Sequence, residues 1–424
     1  MRQTQNLSAA SLFCGVGGLE SGFVRRGVEI VGAWDTSEPA RHTYQSNTSV
    51  APSARDVLTL SSSDVKGADI IFAGPPCQGF TALARHDGAD PRNHLIIAAS
   101  KLIAQARPLA FIIENVAGLK WQSNGIFARR AIQLLRDADL ECELVEIDCA
   151  RLGVAQRRRR VLLVGGRQVV GRSVARAVAA LSEDRFPPAS VRDALLPESS
   201  LQGLPNHEPR PFGVPWYGPV IAALRPGQKL CDTRLADSSV HSWDVPEVFG
   251  ATTEQQRSIL VALARLRRRE KNRRYEHIGD GRPVTLRQLL AETHLTHRRL
   301  IFHLTRLESA GYVLRSGTQY YDLARKFNGR FRRLSLSGPA PAVLREFAHP
   351  RNALHPTAPR SLTVRECARL QAFPDTFRFF GTLSEQYQLV ANAFPPLVSE
   401  RLAKVILPCL CAGLQEQVRA RQIA

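Results

Sequence analysis

The sequence predicts an α/β fold in which a largely parallel sheet carries a functional site at the ends of its strands. Three features predict it: short apolar runs that end in Gly, Pro or a carboxylate, helical patterns between these runs, and a glycine-rich turn after the first run. Short continuous apolar runs are typical of strands that are buried on both faces. Because open α/β sheets bind ligands at the ends of their strands, the residues that follow each run are the functional candidates.

The composition predicts a polyanionic partner. The chain has 424 residues, enough for two or three domains, and a formal net charge of +19. Between residues 251 and 333, nineteen Arg and Lys accompany only seven Asp and Glu. Clustered basic residues favour nucleic acid, because they neutralise phosphates and release counterions. A basic surface that only keeps the protein in solution is the alternative.

The cysteines and the apolar runs predict where in the cell the protein is located. None of the eight cysteines belongs to a CxxC pair or has a Cys/His spacing suited to zinc, so we expect thiols and no metal. No apolar run reaches membrane-spanning length, and the polar N-terminus has no secretory signal pattern. These patterns predict a cytoplasmic protein that does not enter a membrane.

Residues 9–35 follow the order strand, glycine turn, helix, strand, acid. The turn contains Gly15, Gly17 and Gly18, and Asp35 closes the second apolar run. In a doubly wound fold such glycines let a cofactor lie against the backbone, and the acid binds ribose hydroxyls. The spacing differs from the GxGxxG of pyrophosphate sites, which favours a nucleoside cofactor without phosphates. A tight turn with no ligand is the alternative.

The loop GPPCQGFT at residues 74–81 follows the apolar run at 68–73 and contains Cys77 between two prolines and two glycines. Prolines stiffen the loop, and glycines allow a substrate or backbone to approach closely. This setting predicts a nucleophile held at a strand end. The alternative is a structural cysteine, because free cysteines are among the most buried residues.

Two later runs also carry charged residues. Glu114 ends the apolar run 108–116, and burying its carboxyl is costly without a partner or a proton, so we favour a functional role in which the apolar strand helps to keep it protonated. In QRRRR at 156–160, alternate residues share a face of the strand. Arg158 and Arg160 therefore point away from the other two arginines, and one pair could face the site.

Taken in order, the motifs resemble those of bacterial DNA (cytosine-5)-methyltransferases. The matching segments are FCGVGG, Asp35, Asp56, GPPCQGFT, ENV, QRRRR, RSLTVRECARLQAFPDTF and QYQLVANAFPPL, and they span nearly the whole chain. The resemblance implies a Rossmann-like catalytic domain at 1–170, a target-recognition region at 171–355 and a C-terminal segment at 356–424 that completes the catalytic domain. Residues 253–325 also resemble a winged helix-turn-helix, with a plain helical insert as the alternative.

The resemblance also implies S-adenosyl-L-methionine (AdoMet) as cofactor, double-stranded DNA as substrate and a set of site residues. Cys77 would be the nucleophile, Glu114 the proton donor to cytosine N3, and Arg158 and Arg160 would position the base. The implied cofactor-binding residues are Phe13, Gly15, Gly17, Gly18, Asp35, Thr36, Asp56, Val57, Pro75, Leu95 and Asn392. The residues assigned to DNA contact are Gln78, Arg298 and Arg299.

The sequence departs from the family pattern at three positions. Thr36 stands where a larger apolar residue often covers the adenine, and Ala391 and Phe394 replace the Gly and Val of GNAVPP. If the first of these positions needs a positive φ, alanine costs about 1 kcal/mol there.

Two alternative functions are a tRNA cytosine-5 methyltransferase, which the large basic insert argues against, and a catalytically idle DNA-binding regulator, which the intact Cys77 and Glu114 argue against. We expect a monomer associated with the nucleoid, and a separate cognate restriction endonuclease is a further candidate partner.

Overall fold

The structure is a computed structural model that describes residues 7–76, 91–210, 217–269, 283–324 and 330–423. The chain divides into two compact units. The first runs to Glu208 and adds Ser337–Arg345 and the residues from Thr363 onward, whereas the second consists of Pro209–Leu336 and Glu346–Leu362. The C-terminal part of the chain therefore returns to the first unit.

Seven strands of the first unit lie in its described residues before residue 170. They are β1 (Ser8–Leu12), β2 (Glu29–Trp34), β3 (Ile70–Ala73), β4 (Ala110–Val116), β5 (Leu140–Asp148), β6 (Gln156–Arg157) and β7 (Arg159–Arg167). Six of them form one sheet in the order β2-β1-β3-β4-β7-β5. The first four are parallel, and β7 runs antiparallel to both β4 and β5.

Helices cover both faces of this sheet. They are α1 (Ser21–Val24), α2 (Glu38–Asn47), α3 (Leu95–Ala106), α4 (Ile126–Arg136), α5 (Gln168–Glu183) and α6 (Val191–Leu195), joined later in the chain by α12 (Val364–Leu370), α13 (Leu383–Asn392) and α14 (Pro396–Ile423). Alternate residues of β3 enter different cores: Phe72 packs in the core that contains Leu402, and Ile71 packs in the core that contains Ile103. The continuous apolar runs of the sequence thus correspond to strands with two buried faces, as predicted.

The described part of the second unit contains two small sheets. Its helices are α7 (Tyr217–Ala223), α8 (Pro246–Phe249), α9 (Glu254–Arg269), α10 (Leu286–Thr293) and α11 (His297–Ser309), and its strands are β8 (Lys229–Leu230), β9 (Ser239–Val240), β10 (Val284–Thr285), β11 (Val313–Ser316), β12 (Tyr320–Leu323) and β13 (Arg330–Arg332). Strands β10, β12 and β11 form an antiparallel sheet beside α9, α10 and α11. This is the order of a winged helix-turn-helix, with α11 as the second helix of the motif.

The compact units divide the chain at a different place from the predicted boundary at residue 170. Residues 171–208 belong to the first unit, because α5 buries Val174 and Val178 in the same core as the sheet. The predicted return at 356 also differs, since the chain re-enters the first unit at 337–345, where β14 (Ala340–Pro341) pairs with β6, and again at Thr363. The family resemblance implied these boundaries, whereas packing defines the compact units. Among the described helices, none combines the length and apolarity needed to cross a membrane.

Candidate active site

A cavity of about 390 Å³ lies at the carboxyl ends of β1, β2, β3 and β4 in the first unit. The strand order reverses between β1 and β3, and such a reversal opens a crevice at that edge of an α/β sheet. The volume is within the range of small-molecule and cofactor sites. The topology therefore places a ligand site where the sequence predicts one.

The glycine turn after β1 forms one wall of the cavity. Gly15 and Gly17 have φ values of 55° and 83°, in the left-handed region that favours glycine. At Gly18 a Cβ atom would lie 2.2 Å from the carbonyl oxygen of Phe394, so a side chain there would displace the segment before α14. The turn is thus required by backbone conformation and by packing, in addition to any role toward a ligand.

Asp35 connects the end of β2 to this turn. Its Oδ2 accepts a hydrogen bond from the Gly15 amide at 2.9 Å, and its Oδ1 accepts one from the Ser37 amide at 2.8 Å. Burial raises the pKa of the Asp35 carboxyl, and these two hydrogen bonds oppose that shift. Each oxygen has a second lone pair, so the carboxyl can still accept bonds from ligand hydroxyls.

Glu114 and Arg160 form an ion pair on the cavity wall. Arg160 Nε lies 2.5 Å from Glu114 Oε1, and the two side chains are only 12% and 14% exposed. The pair joins the adjacent strands β4 and β7, and both residues line the cavity. The sequence predicts apolar surroundings for Glu114, but the structure shows that a guanidinium lies directly against its carboxyl.

Arg158 is buried and holds the end of α13. Its side chain donates hydrogen bonds to the carbonyl oxygens of Ala391 and Ala393, at 2.8 Å and 2.9 Å. Arg157 and Arg159 are exposed, so the alternation predicted for QRRRR is confirmed. Arg158 is not among the described residues that line the cavity. Its hydrogen bonds hold residues 391–393 in place, and this segment contains the cavity residue Asn392.

The comparisons with known proteins identify the family of the chain. A family model described as C-5 cytosine-specific DNA methylase matches residues 7–206 and 249–408. The chain belongs to this family.

Curated relatives of this methylase are 26% identical to it. Type II methyltransferase M.AgeI of Thalassovita gelatinovora matches over 94% of this chain and 99% of its own length, and M.HgiCI of Herpetosiphon aurantiacus matches over 91% and 94%. A solved structure described as a DNA modification methyltransferase encoded within a prophage (E. coli) has a TM-score of 0.55 at 22% identity, covering 96% of this chain and 99% of that one. This structural similarity supports the predicted Rossmann-like α/β fold.

The methylase transfers a methyl group from AdoMet to carbon 5 of cytosine in DNA. The cavity fits AdoMet in three respects. It has the volume of a cofactor site, Asp35 offers carboxylate oxygens for ribose hydroxyls, and the open side of Gly15, where a Cβ would meet nothing within 4 Å, leaves room for a ligand against the backbone.

Seven of the predicted cofactor residues line the cavity, namely Phe13, Gly15, Gly18, Asp35, Thr36, Pro75 and Asn392. Four others lie outside the lining. Gly17 faces the Tyr44 ring, Asp56 caps a short turn through the Leu58 amide, Val57 is buried in the core, and Leu95 begins α3. Cys77 and Gln78 lie outside the described residues, so their assignments stay predictions.

The departures from the family pattern also have a structural outcome. Ala391 lies within α13 and is absent from the residues with positive φ, so the expected strain of alanine does not arise. Phe394 lines the cavity and is 5% exposed, which gives the wall an apolar contact. Thr36 lies at the cavity as well.

Sequence reasoning missed several residues of the wall, among them Glu20, Ser37 and Gln388. Gln388 donates a hydrogen bond to Asn392 Oδ1 at 2.7 Å, and their i, i+4 spacing on a helix was the signal that could have revealed this pair. Glu20 directly follows the glycine turn, but nothing in its local pattern shows that the side chain turns inward.

Proposed function

We propose that this methylase modifies a cytosine within a specific duplex sequence, as the modification enzyme of a Type II restriction-modification system. The Type II relatives, matched over nearly their full lengths, support this proposal. A cognate restriction endonuclease would then be a separate protein, and the methylase would act as a monomer on nucleoid DNA in the cytoplasm.

The observation that carries the proposal is the shared cavity. The Gly15 turn and Asp35 line it together with Glu114 and Arg160, so the groups suited to a nucleoside cofactor and those suited to a cytosine ring lie in one site. Carbons 5 and 6 of cytosine are inaccessible inside a duplex, so the target base must leave the helix to reach these groups.

We propose that Cys77 starts the reaction. Carbon 5 of cytosine is a poor nucleophile. Addition of the Cys77 thiolate to carbon 6 would make carbon 5 electron-rich enough to accept a methyl group. Electron density moves toward N3 during this addition, where Glu114 would transfer a proton and Arg160 would hold the Glu114 carboxyl in place. AdoMet supplies an electrophilic methyl group. Loss of the carbon 5 proton and cleavage of the sulfur–carbon bond then return the thiolate.

The winged-helix part of the second unit is the proposed reader of the target sequence. Leu300, Leu304 and Leu307 of α11 are buried, whereas Arg298 and Arg299 are exposed. This division leaves the start of the second helix available to a DNA groove, where arginines contact base edges or phosphates.

The same helix presents a further exposed group. Phe302 is 52% exposed, and the Arg306 guanidinium lies 4.5 Å from the centre of its ring. His303 of the same helix is buried. The exposed face therefore combines basic and aromatic groups, a composition suited to DNA contact.

Bisulfite sequencing of DNA from cells that express the protein tests this function. We expect 5-methylcytosine at one position of one short sequence. Methylation of tRNA alone, or none in an expressed and folded protein, would refute the proposal.

A mechanism-based probe tests the nucleophile. Duplex DNA with 5-fluorocytosine at the target should form a covalent adduct with the wild type and none with Cys77→Ala, because fluorine at carbon 5 cannot leave as a proton does. Cys411→Ala, at a partly exposed cysteine of α14, is the matched control and should still form the adduct. An adduct with Cys77→Ala would refute the assignment.

A further inference from the structure

Glu20 is a buried carboxyl in the wall of the cofactor cavity. Glu20 is only 2% exposed, and its Oε1 atom accepts no hydrogen bond from the described residues. The polar side chains beside it are those of Ser11 and Tyr44. A buried carboxyl without a cationic partner is costly, so its presence calls for a physical reason.

The other carboxyl groups that line this cavity already have partners. Glu114 is paired with Arg160, Asp35 accepts two backbone amides and lies near Arg41, and Glu385 caps the start of α13. No described Lys, Arg or His forms an ion pair with Glu20. Burial raises the pKa of its carboxyl, and the Ser11 and Tyr44 side chains oppose that shift without a cation.

We propose that Glu20 binds the α-ammonium group of the methionine part of AdoMet. This inference rests on the assignment of the cavity to AdoMet. An ammonium has three N–H donors, and Oε1 of Glu20 lacks a donor. The sulfonium has no hydrogen to donate, and the ribose hydroxyls have Asp35 available at the end of β2. Pairing of Glu20 with the ammonium would thus supply the cation that the described residues do not provide.

If Glu20 has this role, its replacement should affect cofactor affinity and protein stability in different directions. A residue that only supports the fold should destabilise the cofactor-free protein when it is replaced. Replacement of a buried carboxyl that has no cationic partner should leave stability unchanged or raise it, because the amide of glutamine avoids burying a charge. Cofactor binding should weaken at the same time, which is the usual exchange of stability for function at a binding site.

Calorimetry with two thioether ligands tests the proposal. S-adenosyl-L-homocysteine has the ammonium and lacks the sulfonium, and its deamino analogue has hydrogen in place of the ammonium. We expect Glu20→Gln to weaken binding of S-adenosyl-L-homocysteine roughly 10- to 100-fold, as for loss of a hydrogen bond between charged groups. Binding of the deamino analogue should not change. Glu143→Gln, which removes an exposed carboxylate of β5, should affect neither ligand.

The outcomes separate the possible explanations. If Glu20→Gln lost affinity for both ligands equally, Glu20 would only shape the cavity. If it lost affinity for neither ligand, Glu20 would contact neither. Each of these two outcomes refutes the proposal. Should Glu20→Gln fail to fold, the wild type still decides, because equal affinity for the two ligands would overturn a contact with the ammonium. A wild type that binds neither ligand would instead contradict the placement of the AdoMet site itself.

Discussion

Replacement of Arg158 by methionine tests how the cofactor wall is held. Arg158 donates two hydrogen bonds to the carbonyl oxygens of Ala391 and Ala393, on either side of Asn392. Methionine keeps an unbranched apolar stem in the buried site and removes the donors. We therefore expect the segment around Asn392 to lose its order while the sheet itself is retained.

The expected free-energy change can be worked from these contacts. A hydrogen bond from a charged donor contributes about 1.5–3 kcal/mol, and two are lost. Part of this loss is recovered, because a guanidinium no longer has to be buried. Gln371 also donates to the carbonyl of Val390 at 2.9 Å and keeps some restraint on the segment. We expect a net destabilisation of about 2–4 kcal/mol, with weaker cofactor binding.

Thermal unfolding and calorimetry with S-adenosyl-L-homocysteine would measure both effects. Arg157→Met is the matched control, since Arg157 is an exposed neighbour in the same motif. If Arg158→Met had the same unfolding temperature and the same affinity for S-adenosyl-L-homocysteine as this control, the hydrogen bonds of Arg158 would not hold the cavity wall. A variant of normal stability and affinity that fails only in methyl transfer would refute the positioning role and support the contact with the base that the sequence predicts.

Three further predictions concern the other groups. Glu114→Gln should slow methylation by roughly 10²–10⁴-fold in single-turnover assays while cofactor affinity stays constant, because an amide cannot transfer the proton to N3. Asp35→Ala should weaken cofactor binding first, and normal binding in calorimetry would contradict the placement of the ribose. Arg298→Ala or Arg299→Ala should alter sequence preference or DNA affinity in binding assays across a salt series, with cofactor binding unchanged. Wild-type methylation of the same sites by both variants and their double variant would show that α11 does not read DNA.

Much of the site followed from local sequence. The apolar runs predicted strands buried on both faces, and the residues after them include Gly15, Asp35, Pro75 and Glu114, all of which line the cavity. These predictions succeed because side-chain periodicity and strand ends are local properties of a chain. The alternation of Arg158 and Arg160 with their exposed neighbours could be predicted for the same reason, although of the two only Arg160 lines the cavity among the described residues.

Other properties of the predicted residues depend on contacts between distant segments. Asp56 and Val57 are assigned to the cofactor by motif position; the structure shows that the first caps a turn and the second packs in the core, and their role toward the cofactor stays a prediction. The first compact unit extends beyond the predicted boundary at 170 because α5 buries its apolar face in the same core as the sheet.

The sequence by itself determined the strands and the family of the enzyme, because motifs and side-chain periodicity are local properties of the chain. Only the tertiary structure decided which side chains meet. It placed Arg160 against Glu114, turned Arg158 toward the Asn392 segment and left Glu20 buried in the cofactor wall. The physical reason is that ion pairs, burial and unsatisfied polar atoms arise from packing between segments, which no local pattern specifies.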